Sequence, residues 1–276
     1  MRWSCSVRDW SNSLSIRPRG VARWPSLATS VGDVAVTNLF MTASGTAGHG
    51  AELAGYGDLT QLGAVVTKSL AAFEWAGNAA PRVAPAGASM INAVGLSGPG
   101  VPRWIETGYR ALRESGATVV ASIWGRTVDE FAAAARALDG LSLAAVEINA
   151  SCPNLESRNA IFANSPDATK AILDATSGLH VPRWVKLTTT APLLLDVVAA
   201  AIEGGADAIT LGNTLTGMVI DLEARRPILG NGGGGVSGEA ARAVAVRAVY
   251  DVRSAYPSLP LIGAGGVMTA RDALAL

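Results

Sequence analysis

Residues 144–154 read AAVEINASCPN, a short apolar run that breaks into Asn149, Ser151, Cys152, Pro153 and Asn154. Such a run has the length and residue types of a strand whose carboxyl end is crowded with polar groups. The pattern recurs in NLFMTASG, GAVVTKS, ATVVASIWG, RWVKLT, ADAITLGN and LPLIGAGG. Amphipathic helical segments lie between most of these runs, among them TVDEFAAAARALDG, opened by a capping pattern from Thr127 to Glu130. Short β-branched runs alternating with longer helical ones are the signature of βα units around a parallel sheet. Near-continuous apolar strands require cover on both faces, so an α/β fold of the (β/α)8 TIM-barrel type suits the chain better than an open sheet. The count of strands stops at seven, and an eighth is expected about 10 residues beyond Leu276. The expectation is therefore a barrel truncated before its eighth strand. Residues Phe73 to Gly100 carry prolines, glycines and no helical period, and read as an excursion over one mouth of the sheet.

A chain of 276 residues with 49% hydrophobic content can bury one large core, and residues 31–276 are expected to form it. Residues 1–30 are different: five arginines, one acid, three tryptophans and no apolar secretion segment. They are expected to be a disordered extension. The 22 basic and 22 acidic residues cancel, so no overall field favours nucleic acid or an acidic membrane, and small molecules become the default partners. The longest greasy stretch, APLLLDVVAAAIEGG, is cut by Asp196 and Glu203 well before the roughly 20 apolar residues of a membrane span. Cys5 and Cys152 form no CxxC pair and are too few for a zinc or iron-sulfur site, so a reducing cytoplasm is the simplest setting.

In a barrel, side chains at the carboxyl ends of the strands converge on one mouth, where catalysis is expected. Here those ends supply Ser44, Lys68, Asn149, Ser151, Cys152, Asn154, Lys186, Asn213 and Thr214. Lysine is the sharpest signal, because the chain uses 19 arginines and three lysines, yet Lys68 and Lys186 both close strands. A lysine is a compact, movable charge that can lie beside a ring nitrogen or carbonyl oxygen without the width of a guanidinium. Two glycine clusters, GNGGGGVSG from Gly230 and GAGG from Gly263, can bring bare N–H groups and a helix start toward a phosphate. A thiol at Cys152 can serve as base or nucleophile if its pKa is tuned toward neutrality. Asn92, Asn149, Asn154 and Asn213 offer paired donors and acceptors to a planar imide-like ligand. His49 and His180 have no partner spacing and are assigned to turns.

In order, FMTASG, VVTKS, NAVGL, EINASCPN, WVKLT, GNTLTGM, GGGGVSG and LIGAGGV resemble the motifs of class 1 dihydroorotate dehydrogenases, from about Val31 to the end. GNTLTGMVIDLEARRPIL is similar to the subgroup that passes electrons to NAD through an iron-sulfur and FAD partner subunit. The resemblance implies FMN as the cofactor of this chain, with FAD and the cluster only on the partner. It implies that Ala43, Ser44 and Gly45 line the flavin, and that Lys68 and Ser69 contact both flavin and substrate. Asn92, Gly95, Leu96, Asn149, Asn154, Asn213 and Thr214 would hold the pyrimidine, dihydroorotate or orotate, with Asn149 also touching the flavin. Lys186 would stabilise reduced FMN, Gly234, Gly235, Gly265 and Gly266 would approach its phosphate, and Cys152 would be the base. A homodimer joined to two iron-sulfur partners is the implied assembly. Two departures stand out: Ser97 and Gly98 replace a common Gln-Asn pair, and the Gly-Thr pair of an eighth strand is not reached. Rival readings are a dihydropyrimidine dehydrogenase subunit, which usually has histidine in place of Asn154, and a catalytically silent barrel acting as a scaffold.

Overall fold

The computed structural model describes residues 26–151 and 161–276. The chain enters through a hairpin of β1 (Thr29–Val31) and β2 (Val34–Val36), paired Val31 to Val34. Gly32, at φ +57°, supplies the left-handed conformation that a two-residue hairpin loop requires. β1 begins inside the stretch assigned to the extension. Next come β3 (Val65–Val66), the hairpin strands β4 (Val83–Ala86) and β5 (Ser89–Asn92), and a helical run in which α1 (Val101–Trp104) passes through a π-helical turn into α2 (Arg110–Glu114). Then follow β6 (Val119–Ile123), α3 (Val128–Ala137), β7 (Ala145–Asn149), α4 (Pro166–Ala175), β8 (Arg183–Leu187), α5 (Leu194–Glu203) and β9 (Ala208–Leu211). The remainder holds β10 (Leu215–Gly217), β11 (Ile220–Asp221), β12 (Arg226–Pro227), β13 (Gly234–Ser237), α6 (Glu239–Ala255), β14 (Leu261–Gly263) and α7 (Ala270–Ala275).

Six strands make one curled parallel sheet in the order β14-β9-β8-β7-β6-β3, and a parallel bridge from Met41 to Ala64 adds one more segment beyond β3. Six of the seven strands expected from the sequence are thus found, in chain order, and the seventh run, NLFMTASG, joins them through the single Met41 bridge. Every residue of β6, β7 and β9 is buried, which is why these runs lack a polar face. Side chains still alternate. Val119, Ala121, Ile123, Val146, Ile148, Val185 and Ile209 pack outward with Phe131, Ile172, Leu173, Val197 and Val252 of the helices. Val66, Val120, Ala145, Trp184 and Ala208 face inward and meet Val31, Val34 and Val36 of the first hairpin, which covers the amino-terminal end of that face.

Helix starts follow local rules. Thr127 Oγ1 accepts from the Glu130 N–H, as the capping pattern predicts, but the Glu130 carboxylate reaches the Arg126 N–H and guanidinium instead of completing the box. Ser165 caps α4, with Pro166 at its first position. In α6 the buried residues are Ala241, Ala245, Ala248 and Val252, a stripe at helical spacing.

The excursion between Phe73 and Gly100 contains strands that the sequence reading did not expect. β4 and β5 join β13 and β10 in a four-stranded antiparallel sheet of order β10-β13-β5-β4. The GNGGGG region, read as a loop, ends in β13. Arg126 lies 5.1 Å from the ring centres of both Phe73 and Trp75, and so ties the excursion to the end of β6.

Candidate active site

Polarity on the inner face of the parallel sheet rises toward the carboxyl ends. Ser122 pairs in register with Glu147, Asn149 with Lys186, and Lys186 with Thr210. Above the apolar layer, then, the curled face carries Ser122 and Glu147, and above them Asn149, Lys186 and Thr210. Glu147 is 2% exposed and Lys186 6%, so both ionisable groups are removed from water. Lys186 Nζ donates to Ser151 Oγ at 2.8 Å, and Ser151 Oγ donates to Asn149 Oδ1 at 2.8 Å. Asn149 Nδ2 donates to Ser69 Oγ at 2.9 Å, and Asn213 Nδ2 donates to the Ser151 carbonyl at 2.9 Å. Ser69, Asn149, Lys186 and Asn213, chosen from sequence, therefore share one hydrogen-bonded cluster. Ser151 is its junction, one residue before Cys152.

Lys68 belongs to a second group. Its Nζ donates to the carbonyl of Ser97 and to Ser97 Oγ, the latter at 3.0 Å. Ser97 is one of the two departures from the family pattern, and here it holds the lysine. Burial, and then the positive charge of Arg82, lower the Lys68 pKa from its ordinary value. His49 stands beside it, in a bend as expected, with Nε2 buried and without a hydrogen-bond partner among the described residues. Burial, followed by the charge of Lys68, brings the His49 pKa down to about 4, with Glu52 opposing.

A third group is built by the antiparallel sheet. Asn92 Nδ2 donates to the Gly235 carbonyl at 3.2 Å. A Cβ at Gly235 would lie 1.9 Å from Thr214 Oγ1, and one at Gly234 would lie 2.3 Å from the Asn92 carbonyl oxygen. These two glycines therefore serve close strand packing around Asn92 and Thr214. Thr214 is placed in turn by its N–H to Asn213 Oδ1 at 2.9 Å. The Gly95 carbonyl accepts from Trp75 Nε1, and Leu96 holds φ +60°, a conformation rare for a branched side chain. Ala43, Ser44 and Gly45 form the turn after the Met41 segment, closed by Thr46 N–H to the Ala43 carbonyl.

Gly265 and Gly266 belong to a different corner from Gly234 and Gly235. A Cβ at Gly266 would lie 2.6 Å from Arg242 Cβ and 2.9 Å from the Gly238 carbonyl oxygen, which sets this loop against the start of α6. The cap residue Gly238 offers no side-chain acceptor, so the first N–H groups of this 17-residue helix have no side-chain cap. Gly238 is the last residue of the GNGGGGVSG cluster that the sequence pointed toward a phosphate, although it was not named individually there. Glu147 and Ser122 were also missed, because a lone polar residue inside an apolar run reads as strand.

Cys152 and Asn154 lie outside the described residues. Among the described residues no group of three or more His, Cys, Asp or Glu is placed to hold a metal ion, and no helix is long and apolar enough to cross a membrane.

Residues 26–276 match the family model described as dihydroorotate dehydrogenase. The chain is 45% identical to "Dihydroorotate dehydrogenase B (NAD(+)), catalytic subunit" of Desulforudis audaxviator, over 90% of this chain and 81% of that protein. It is 41% identical to the protein of the same name from Citrifermentans bemidjiense, over 91% and 82% of the two chains. For that of Alkaliphilus metalliredigens the figures are 40%, 90% and 82%.

Proposed function

The chain belongs to the dihydroorotate dehydrogenase family, and from that premise we propose that it oxidises dihydroorotate to orotate, with FMN as the hydride acceptor, in pyrimidine biosynthesis. The observation that carries the reading is the hydrogen-bonded cluster of buried Ser69, Asn149, Ser151 and Lys186 with half-buried Asn213 at the strand ends, immediately before Cys152. The six strands and the Met41 segment fit seven positions of a (β/α)8 barrel, with β14 and that segment bracketing one further position.

The residues present fit FMN. An uncapped helix start with Gly265 and Gly266 against it suits the phosphate, while a buried ammonium with amides around it suits the ring. Bound there, FMN supplies a two-electron acceptor. Cys152 takes the proton from C5 of dihydroorotate as the hydride leaves C6, so that the double bond of orotate forms between the two carbons. Lys186 would supply positive charge beside the bound flavin, and Ala43, Ser44 and Gly45 would line its ring. Asn92, Gly95, Leu96, Asn149, Asn154, Asn213 and Thr214 would hold the pyrimidine. Lys68 and Ser69 would contact both substrate and flavin, and a charge on a movable stem can meet either. Electrons continue to NAD through a partner subunit carrying FAD and an iron-sulfur cluster, on a homodimeric catalytic core in the cytoplasm.

The test is anaerobic mixing of the FMN-loaded protein with dihydroorotate. Loss of the flavin absorbance bands is expected, and a Cys152→Ala variant should lose about 10²–10⁴-fold in rate. Bleaching by dihydrouracil but not by dihydroorotate would overturn the substrate, and an undiminished rate in the variant would overturn the base.

A further inference from the structure

Glu147 has no role in the chemistry above, yet it is a carboxylate buried at the centre of the sheet's inner face. Its Oε1 accepts from Ser122 Oγ at 3.0 Å, and Ser122 Oγ lies 2.9 Å from Ser69 Oγ. Ser69 is already bonded to Asn149, Asn149 to Ser151, and Ser151 to Lys186. The result is an unbroken chain of hydrogen bonds from a buried acid to a buried lysine.

The direction of every bond in this chain follows from proton counting. A carboxylate only accepts, so the one hydroxyl proton of Ser122 goes to Glu147, and Ser122 must accept from Ser69. Ser69 has then committed its own proton and can only accept from the Asn149 amide. The Asn149 carbonyl accepts from Ser151, and Ser151 accepts from the ammonium. Donors therefore all point from Lys186 toward Glu147. Bonds aligned in this way polarise one another in a low-dielectric interior, and the charge at each end compensates the other.

We infer that Glu147 is a positioning residue for Lys186: through Ser122, Ser69, Asn149 and Ser151 it holds the lysine fixed at the mouth. A second consequence is that Asn149 has one amide orientation and that Ser69 meets any ligand only as an acceptor. The function assigned to Lys186 rests on the flavin reading above, whereas the chain itself does not.

Three lysines in the whole sequence make a direct test simple. The purified full chain is treated with an acetylating N-hydroxysuccinimide ester, and the rates at Lys68, Lys170 and Lys186 are followed by mass spectrometry. Lys170 pairs with Asp174 on the outside of α4 and serves as the internal standard. Acetylation needs a neutral, accessible amine. In Glu147→Gln, which keeps the shape but lets the end of the chain donate or accept, Lys186 is expected to react at least tenfold faster relative to Lys170. Ser122→Ala, which cuts the chain without removing the charge, should shift the ratio the same way and carries the test if the first variant does not fold. An unchanged ratio in Ser122→Ala, or a rise at Lys68 as large as that at Lys186, overturns the inference. No dihydroorotate enters the measurement, so a failure here and a failure of the substrate assignment are separable.

Discussion

Lys186 stands at the carboxyl end of a buried strand and is held by Ser151, just past the end of the neighbouring strand, whereas Lys68 stands just past a two-residue strand and is held by a loop residue, Ser97. The first lysine is part of the core, and its position is set by the same register that aligns β7 with β8. The second is half-buried and answers to the excursion between Phe73 and Gly100. One site thus combines a fixed charge with an adjustable one. The difference is also energetic: Lys186 has a buried acid at the far end of its network, while the charge beside Lys68 is that of Arg82, of the same sign.

The largest contrast is in stability. Lys186→Met removes the cation and leaves Glu147 buried without compensation, which should cost about 3 kcal/mol. Lys68→Met removes a charge that burial and Arg82 already disfavour, so unfolding by urea should show no loss or a small gain. Equal losses in the two variants would erase the distinction.

The second region can be strained by backbone. Gly235→Ala puts a Cβ where Thr214 Oγ1 already sits, and overpacking of that kind costs about 1–3 kcal/mol. Because Asn92 and Thr214 both touch Gly235, the affinity for dihydroorotate should fall with the melting temperature. A variant with full stability and unchanged substrate KM would show that the antiparallel sheet is more pliable than its contacts imply.

The two regions were not equally legible in the sequence. The parallel sheet could be read because each strand carries its own signal: β6, β7 and β9 are apolar throughout and end in polar residues, and their order in space follows their order in the chain. Lys186 and Asn149 followed from that, since a strand end locates its side chain. The antiparallel sheet could not be read. β13 is Gly-Gly-Val-Ser and becomes a strand because β10 and β5 lie on either side of it, Val236 facing Ile91 from far along the chain. Ser97 escaped for the same reason, its meaning depending on a lysine reached through space. Glu147 escaped for a different one: within AVEIN an acid looks like noise until the register sets it beside Ser122.

A smaller effect is expected at the Lys68 anchor. Ser97→Ala removes one of two acceptors and leaves the carbonyl, so it should cost about 0.5–1.5 kcal/mol of the interaction. Read through substrate KM, this is a several-fold rise with little change in kcat. A large fall in kcat instead would mean that Lys68 is as rigidly required as Lys186.

The smallest effect is set by pH and lies beside Lys68. His49 is half-buried, and desolvation, then the Lys68 charge, bring its pKa to about 4 against an ordinary 6.5. Between those values the unfolded chain binds more protons than the folded one, so stability rises with pH through the window and is lost as pH falls from 6.5. The histidine is partly exposed, and after solvent screening its share is about 1 kcal/mol. Burial pushes the Glu52 and Glu130 carboxyls up, but hydrogen bonds outweigh it and hold both below the ordinary value of 4.5, so their share of stability is lost at lower pH than the upper part of the histidine's window. Measurements from pH 6.5 to 5 therefore isolate the histidine. His49→Gln should flatten the stability curve there, and Lys68→Met should make it shallower by lifting the lower edge of the window. Parallel curves for His49→Gln and the unaltered protein would show that the half-buried imidazole does not sense the neighbouring ammonium, and that the adjustable lysine is further from the bend at His49 than its electrostatics require.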